Sequence, residues 1–191
     1  MSQGFQEEKK LVLEYFDKME KADEDSIGSV IKKYTSDDYD WRGVYPFRRQ
    51  TNKEDVINKF WKPLKHGLKN IQRRQDIFIA GVNEIGGEKW VMSMGHFMGL
   101  FDNEWLNIRP NGKMMSLRYA EFNCVENGEI TKTGLFIDII GFMKQAGIDP
   151  LPPSTGQYFV YPGPRTHDGI LLDDADPKEG KKTLDLVNEM V

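Results

Sequence analysis

The stretch that most constrains the fold lies between residues 114 and 141. Two runs, MMSLRYAEFNCVE and EITKTGLFIDIIG, alternate along the chain and meet at Asn127-Gly128. An Asn-Gly pair supplies the two positive-φ positions of a tight hairpin turn, so the runs predict antiparallel strands at 114–126 and 129–141. Residues 72–82 and 89–101 read as a second pair around the glycine-containing turn 83–88. Upstream the period changes. Within Phe5–Ala22, Leu11, Val12, Tyr15, Phe16 and Met19 recur at helical spacing, opposite a charged face. Shorter helices are expected over Asp25–Tyr34 and Lys53–Lys62, the second ended or bent by Pro63, with the aromatic segment 36–52 between them a loop. Helices followed by hairpin-connected strands predict an α+β fold with an antiparallel sheet, not βαβ units.

Composition narrows the function classes. The chain has 191 residues, enough for one domain with a sizeable core. A formal charge of −4 gives no electrostatic reason to expect nucleic acid or an anionic membrane as partner. Cys124 is the only cysteine, and His66, His96 and His167 lack the spacing of a zinc site, so no disulfide and no metal are expected. There is no signal-like leader, and no stretch approaches the roughly 20 apolar residues of a membrane span, which predicts a cytoplasmic protein. After residue 148 the chain turns rich in Pro and Gly yet keeps Tyr158, Phe159 and Tyr161. This predicts a domain over 1–148 and an extension, 149–191, packed on it, with a short helix through Leu184, Val187 and Met190.

Candidate residues come from the hairpin register. If Asn127-Gly128 is a two-residue turn, Glu126 faces Glu129, Asn123 faces Lys132, Glu121 faces Gly134, Tyr119 faces Phe136 and Leu117 faces Asp138. One face then mixes Asp138, Glu121 and Asn123 with Tyr119 and Phe136. The other, with Phe122, Leu135 and Ile137, reads as core. Asp138 sits in the apolar run LFIDIIGF, and a carboxylate in a greasy concave site suits general acid–base work. The competing reading is that this face meets water or a partner and Asp138 caps or pairs structurally. His96, on a strand face with Trp90, Met92, Met94 and Met98, is a second proton-transfer candidate, or a hydrogen-bonded core residue. Trp41 and Tyr45 could line a pocket mouth.

The block Gly112–Ile148 resembles the SnoaL-like polyketide cyclase family, within the nuclear-transport-factor-2-like superfamily. The likeness rests on Gly112-Lys113, Glu126-Asn127-Gly128, Asp138 in an apolar strand, Gln145-Ala146-Gly147, and Asp40-Trp41 upstream. Departures are Gly134 where a Trp is common, Asn123 near a usual Arg or His, and Arg42 after the loop tryptophan. The resemblance implies a cone-like curved antiparallel sheet wrapped around N-terminal helices, enclosing an apolar pocket, with no metal or cofactor and a homodimer through the sheet. It implies cyclase- or isomerase-type acid–base chemistry on a small apolar carbonyl compound. Asp138 would move the proton, helped by His96 or Glu121, with Tyr119, Asn123, Trp41, Tyr45 and Phe136 around the substrate. The alternative is a non-catalytic protein of the same fold that holds a small ligand.

Overall fold

A computed structural model describes residues 4–153, 155–156 and 162–190. Helix α1 (Gln6–Lys21) buries the expected stripe of Val12, Tyr15, Phe16 and Met19, and α2 (Ile27–Tyr34) buries Ile27 and Ile31. A third helical stretch runs through α3 (Lys53–Val56), a π-helical turn (Ile57–Trp61) and α4 (Lys62–Gly67). Pro63 does not end this stretch; it lies in the first turn of α4, where its missing N–H costs little. The π-helical turn just before it delivers Ile57, Phe60 and Trp61 to the interior.

The strands are β1 (Thr35–Gly43), β2 (Arg49–Gln50), β3 (Leu68–Val82), β4 (Lys89–Phe101), β5 (Met114–Glu126) and β6 (Glu129–Ile137). They form one curved, unclosed sheet in the order β2-β1-β6-β5-β4-β3. Every pairing is antiparallel except β1 with β6. The α+β architecture is as expected, but β1 replaces the loop expected at 36–52. Its acidic residues hide an alternation in which Tyr39 and Trp41 point inward and Asp38 and Arg42 outward.

The register of the main hairpin corrects the expected faces. Glu126 pairs with Glu129 and Val125 with Ile130, as a two-residue turn requires. A bulge at Thr131 then shifts the ladder by one: Asn123 pairs with Thr133, Glu121 with Leu135 and Tyr119 with Ile137. One extra residue moves every later β6 side chain to the opposite face. Leu117, Tyr119, Glu121 and Asn123 therefore line the buried interior, while Phe122, Gly134 and Phe136 belong to the outer face. The strand also ends early. Asp138 leaves the sheet and caps α5 (Ile139–Gln145), where its Oδ1 accepts from the Gly141 N–H at 2.8 Å.

A second bulge, at Asp76, lets Arg73 and Gln75 face inward together with Phe78 and Ala80. Gly95 pairs with Gln75, and a Cβ there would lie inside the contact radius of the Arg74 carbonyl oxygen. Gly95→Ala is expected to cost about 1–3 kcal/mol by forcing β3 and β4 apart, measurable by urea denaturation.

The C-terminal segment covers the edge of β3. The Phe78 N–H donates to Gly169 O and the Leu171 N–H to Phe78 O. Farther on, Leu172 O accepts from Gln6, Asp173 O from Lys9, and Asp174 Oδ1 from the Phe5 N–H. Helix α6 (Pro177–Glu189) follows the expected course, but its apolar residues Leu184 and Val187, with Met190 just beyond, stay exposed. Tyr158, Phe159 and Tyr161 lie outside the described residues. Among the described residues, no helix is long and apolar enough to cross a membrane.

Candidate functional site

The interior holds a polar network inside an aromatic shell. Ser93 and Glu121 are cross-strand partners, as are Asn123 and Thr133, so their side chains meet in adjacent rows. Glu121 is fully buried and pairs with Arg73 at 2.8 Å; the two side chains are 1% and 6% exposed. Asn123 Nδ2 donates to Glu121 Oε1 at 3.2 Å, and Thr133 Oγ1 donates to Asn123 Oδ1 at 2.7 Å. Tyr39 joins through Thr133. On the other side, Tyr119 and Ser93 share a hydrogen bond of 2.8 Å, and Gln75 Nε2 donates to Ser93 Oγ at 3.1 Å. The Arg73 guanidinium lies 3.6 Å from the Phe16 ring centre and 4.7 Å from those of Phe97 and Tyr119. These ring faces offset part of the desolvation cost of the cation.

The electrostatics follow from this burial. Desolvation works against the Arg73 charge, but Glu121, and after it Tyr119, outweigh it and hold the guanidinium above its ordinary pKa. Burial raises the phenols of Tyr15, Tyr39 and Tyr119, against a smaller opposing pull from Arg73 at Tyr119, so all three remain protonated near neutrality. The interior thus offers one carboxylate, one permanent cation and several O–H donors.

Among the described residues Arg73 Nη1 and the indole N–H groups of Trp41, Trp61, Trp90 and Trp105 are buried without a hydrogen bond, and two of these donors, on Arg73 and Trp61, come together in one place. Leaving a buried donor unsatisfied costs about 1–3 kcal/mol, so the pair calls for an explanation. Both residues line a narrow cleft with Met19, Glu20, Lys65, Ile71 and Phe97, between α1, the π-helical turn, α4 and β3–β4. Its free volume is about 10 Å³, so packed side chains all but fill it.

The expected site residues therefore divide. Glu121, Tyr119 and Asn123 come together in the interior, and Trp41 is buried against Phe60 at 5.1 Å between ring centres. Asp138 is exposed and occupied as a helix cap, which is the structural reading weighed against its role as a buried acid. Asp138→Ala should lower stability by about 0.5–2 kcal/mol in denaturant titrations, the usual loss for an N-cap. His96 projects from the outer face, its Nδ1 3.5 Å from Asp76 Oδ2, on the opposite side of the sheet from Glu121. Phe136 and Tyr45 are 58% and 76% exposed. Arg73, Ser93, Gln75 and Thr133 were not among the expected residues. The available signal for Arg73 was chemical: a buried Glu121 demands a counter-charge.

The outer face carries a second concavity, an open groove of about 620 Å³. Its apolar surface includes Trp90, Met92, Phe122, Phe136 and Ile79, with Asp40, Arg42 and Lys132 also lining it. Among the described residues no group of His, Cys, Asp and Glu is arranged to hold a metal.

No family model matches the chain, and no curated protein sequence does. Solved structures do share its architecture. A protein from Jannaschia sp. CCS1 assigned as a SnoaL-like polyketide cyclase aligns with a TM-score of 0.59 and 16% identity, covering 78% of this chain and 97% of its own. AclR from Streptomyces galilaeus, assigned as a hydroxylase, gives 0.61 at 16% identity over 76% and 98%. A protein from Catenulispora acidiphila with a ketosteroid isomerase-like fold, solved with trimethylamine, gives 0.52 at 12% identity over 75% and 97%. The chain has the fold shared by SnoaL-like polyketide cyclases and other nuclear-transport-factor-2-like proteins. The chemistries assigned to these neighbours differ, so the fold alone does not choose among them.

Proposed function

We propose that the chain is a cofactor-independent enzyme of cyclase or isomerase type that acts on a small apolar carbonyl compound in the cone interior. The observation carrying this reading is Arg73 Nη1, buried without a hydrogen bond among the described residues, on a guanidinium that lines the cleft, pairs with the buried Glu121 and lies close to the Tyr119 ring. In the working state the cleft opens at Lys65, and the substrate carbonyl oxygen accepts from Arg73 Nη1 and the Trp61 N–H. Glu121 takes a proton from the adjacent carbon, and the negative charge that develops on oxygen faces donors already in place. Return of that proton to another carbon gives an isomer; attack of the enolate carbon on a second carbonyl closes a ring. One further support is local: π-helical turns recur at functional sites, and the one here carries Trp61. The test needs no knowledge of the natural substrate. Apolar ketones and 1,3-diketones are incubated with the protein in D2O, and loss of the α-proton signal is followed by NMR. Exchange faster than with buffer supports the assignment, and a background rate across the panel refutes it.

A second reading is favoured by the outer groove, which is open where the interior is closed. There the chain would hold a small apolar molecule without transforming it. The same face suits the expected homodimer, because Phe136 and Ile79 are exposed beside Met92 and Phe122. Phe136→Lys should then convert a dimer to a monomer in light scattering after size exclusion. A wild-type monomer would dispose of this partner.

A further inference from the structure

The cleft has a feature that proton transfer at Glu121 does not use. Lys65 stands at its mouth, half-buried among Met19, Trp61, Ile71 and Phe97. Its Nζ donates to the backbone oxygen of Glu20 at 3.1 Å. Three other lysines with buried or half-buried side chains differ. Lys9 reaches Asp174, Lys53 reaches Asp37, and Lys132 reaches Glu88, each within 4 Å. Among the described residues Lys65 has no carboxylate at that range, and Glu20 Oε2 accepts instead from the Arg73 backbone N–H at 2.6 Å. A second cation, Arg73, lines the same cleft. An ammonium group placed this way is poorly solvated, and the pull of Glu20 and Asp23 does not make up for that burial. The balance shifts toward its neutral form, a nucleophile.

We propose that Lys65 is a carbonyl-capturing amine, whose Nζ condenses with an aldehyde or ketone at the mouth of the cleft to form a reversible imine. The neutral nitrogen attacks the carbonyl carbon to give a carbinolamine. The C–O bond then breaks, and the carbonyl oxygen leaves as water with the two protons that the nitrogen gives up. No oxidant, reductant or metal enters the balance. Burial, with a smaller contribution from Arg73, brings the Lys65 pKa down to about 8, against the opposing pull of Glu20 and Asp23. An appreciable fraction of the amine is therefore unprotonated near neutrality, unlike an exposed lysine. The imine requires only the cleft mouth, and neither Glu121 nor the enolate chemistry proposed above.

The test is reductive trapping. The protein is incubated at neutral pH with benzaldehyde and sodium cyanoborohydride, which delivers hydride to the C=N carbon and leaves a stable N-benzyl lysine. Peptide mass spectrometry then ranks the modified lysines over time. Lys65 should be labelled at least about tenfold faster than the exposed Lys18 and Lys181. The preference should vanish in concentrated urea, and Lys65→Arg should remove the fast adduct while leaving slow labelling elsewhere unchanged. Labelling that simply follows exposure, with Lys65 lagging, overturns the proposal. So does a Lys65 preference that survives unfolding, which would belong to the local sequence and not to the cleft. A failed ketone-exchange assay beside fast Lys65 trapping would count against Glu121 chemistry alone.

Discussion

Glu121→Leu alone, or Arg73→Met alone, is expected to destabilise the protein by about 3–5 kcal/mol, whereas the double variant should recover most of that loss. Each single change leaves the other charge buried without its partner, at side-chain exposures of 6% for Arg73 and 1% for Glu121. Removing both takes away the desolvation cost along with the attraction, and Leu and Met fill comparable space among Phe16, Phe97 and Tyr119. For a chain of this size each kcal/mol shifts the melting temperature by about 2–4 °C, so the single variants should melt roughly 10 °C below wild type. A double-mutant cycle in urea gives the coupling directly. Two losses that add in the double variant would show that the charges are not a coupled pair.

The second large effect concerns catalysis. Glu121→Gln keeps the shape of the side chain and an acceptor for Asn123, but removes the group assigned to take the proton. A well-placed acid–base group contributes typically 10²–10⁴-fold in rate, so α-proton exchange from an accepted ketone should fall at least about a hundredfold. Asp138→Asn should leave exchange near wild type, because Asp138 caps α5 on the exposed side of the molecule. An amide oxygen can still accept from Gly141, so stability should change little. The reverse outcome, with Asp138→Asn inactive and Glu121→Gln unimpaired, would return the chemistry to the strand end and remove it from the interior.

These assignments show what the sequence made legible. The α1 stripe, the Asn127-Gly128 turn and the two hairpins all follow local periodicity, and the structure has them. What could not be read were the bulges at Thr131 and Asp76. A bulge at Thr131 turns Phe136 outward, and the end of β6 at Ile137 releases Asp138 to cap a helix, although LFIDIIGF reads as an unbroken apolar strand. The bulge at Asp76 puts Arg73 and Phe78 on the same side, which no single alternation through β3 would show. Bulges depend on how neighbouring strands twist past each other, a tertiary property. In β1 the acidic residues Asp37, Asp38 and Asp40 read as loop, while the alternate Tyr39 and Trp41 carry the strand into the core. The buried polar row was half visible. Tyr119, Glu121 and Asn123 stand in one period-two series, but their partners Arg73, Ser93 and Thr133 come from three other strands.

The most direct test of the interior site is binding of 2-naphthol, a planar apolar phenol whose oxygen resembles that of an enolate, followed by its own fluorescence. Transition-state-like ligands exploit the donors that serve the reaction. Wild type should bind it, the Arg73→Met/Glu121→Leu double variant should lose at least about tenfold in affinity, and Phe136→Ala should bind as wild type does. Equal binding by wild type and the double variant, with loss in Phe136→Ala, would contradict the interior site and place the ligand in the outer groove.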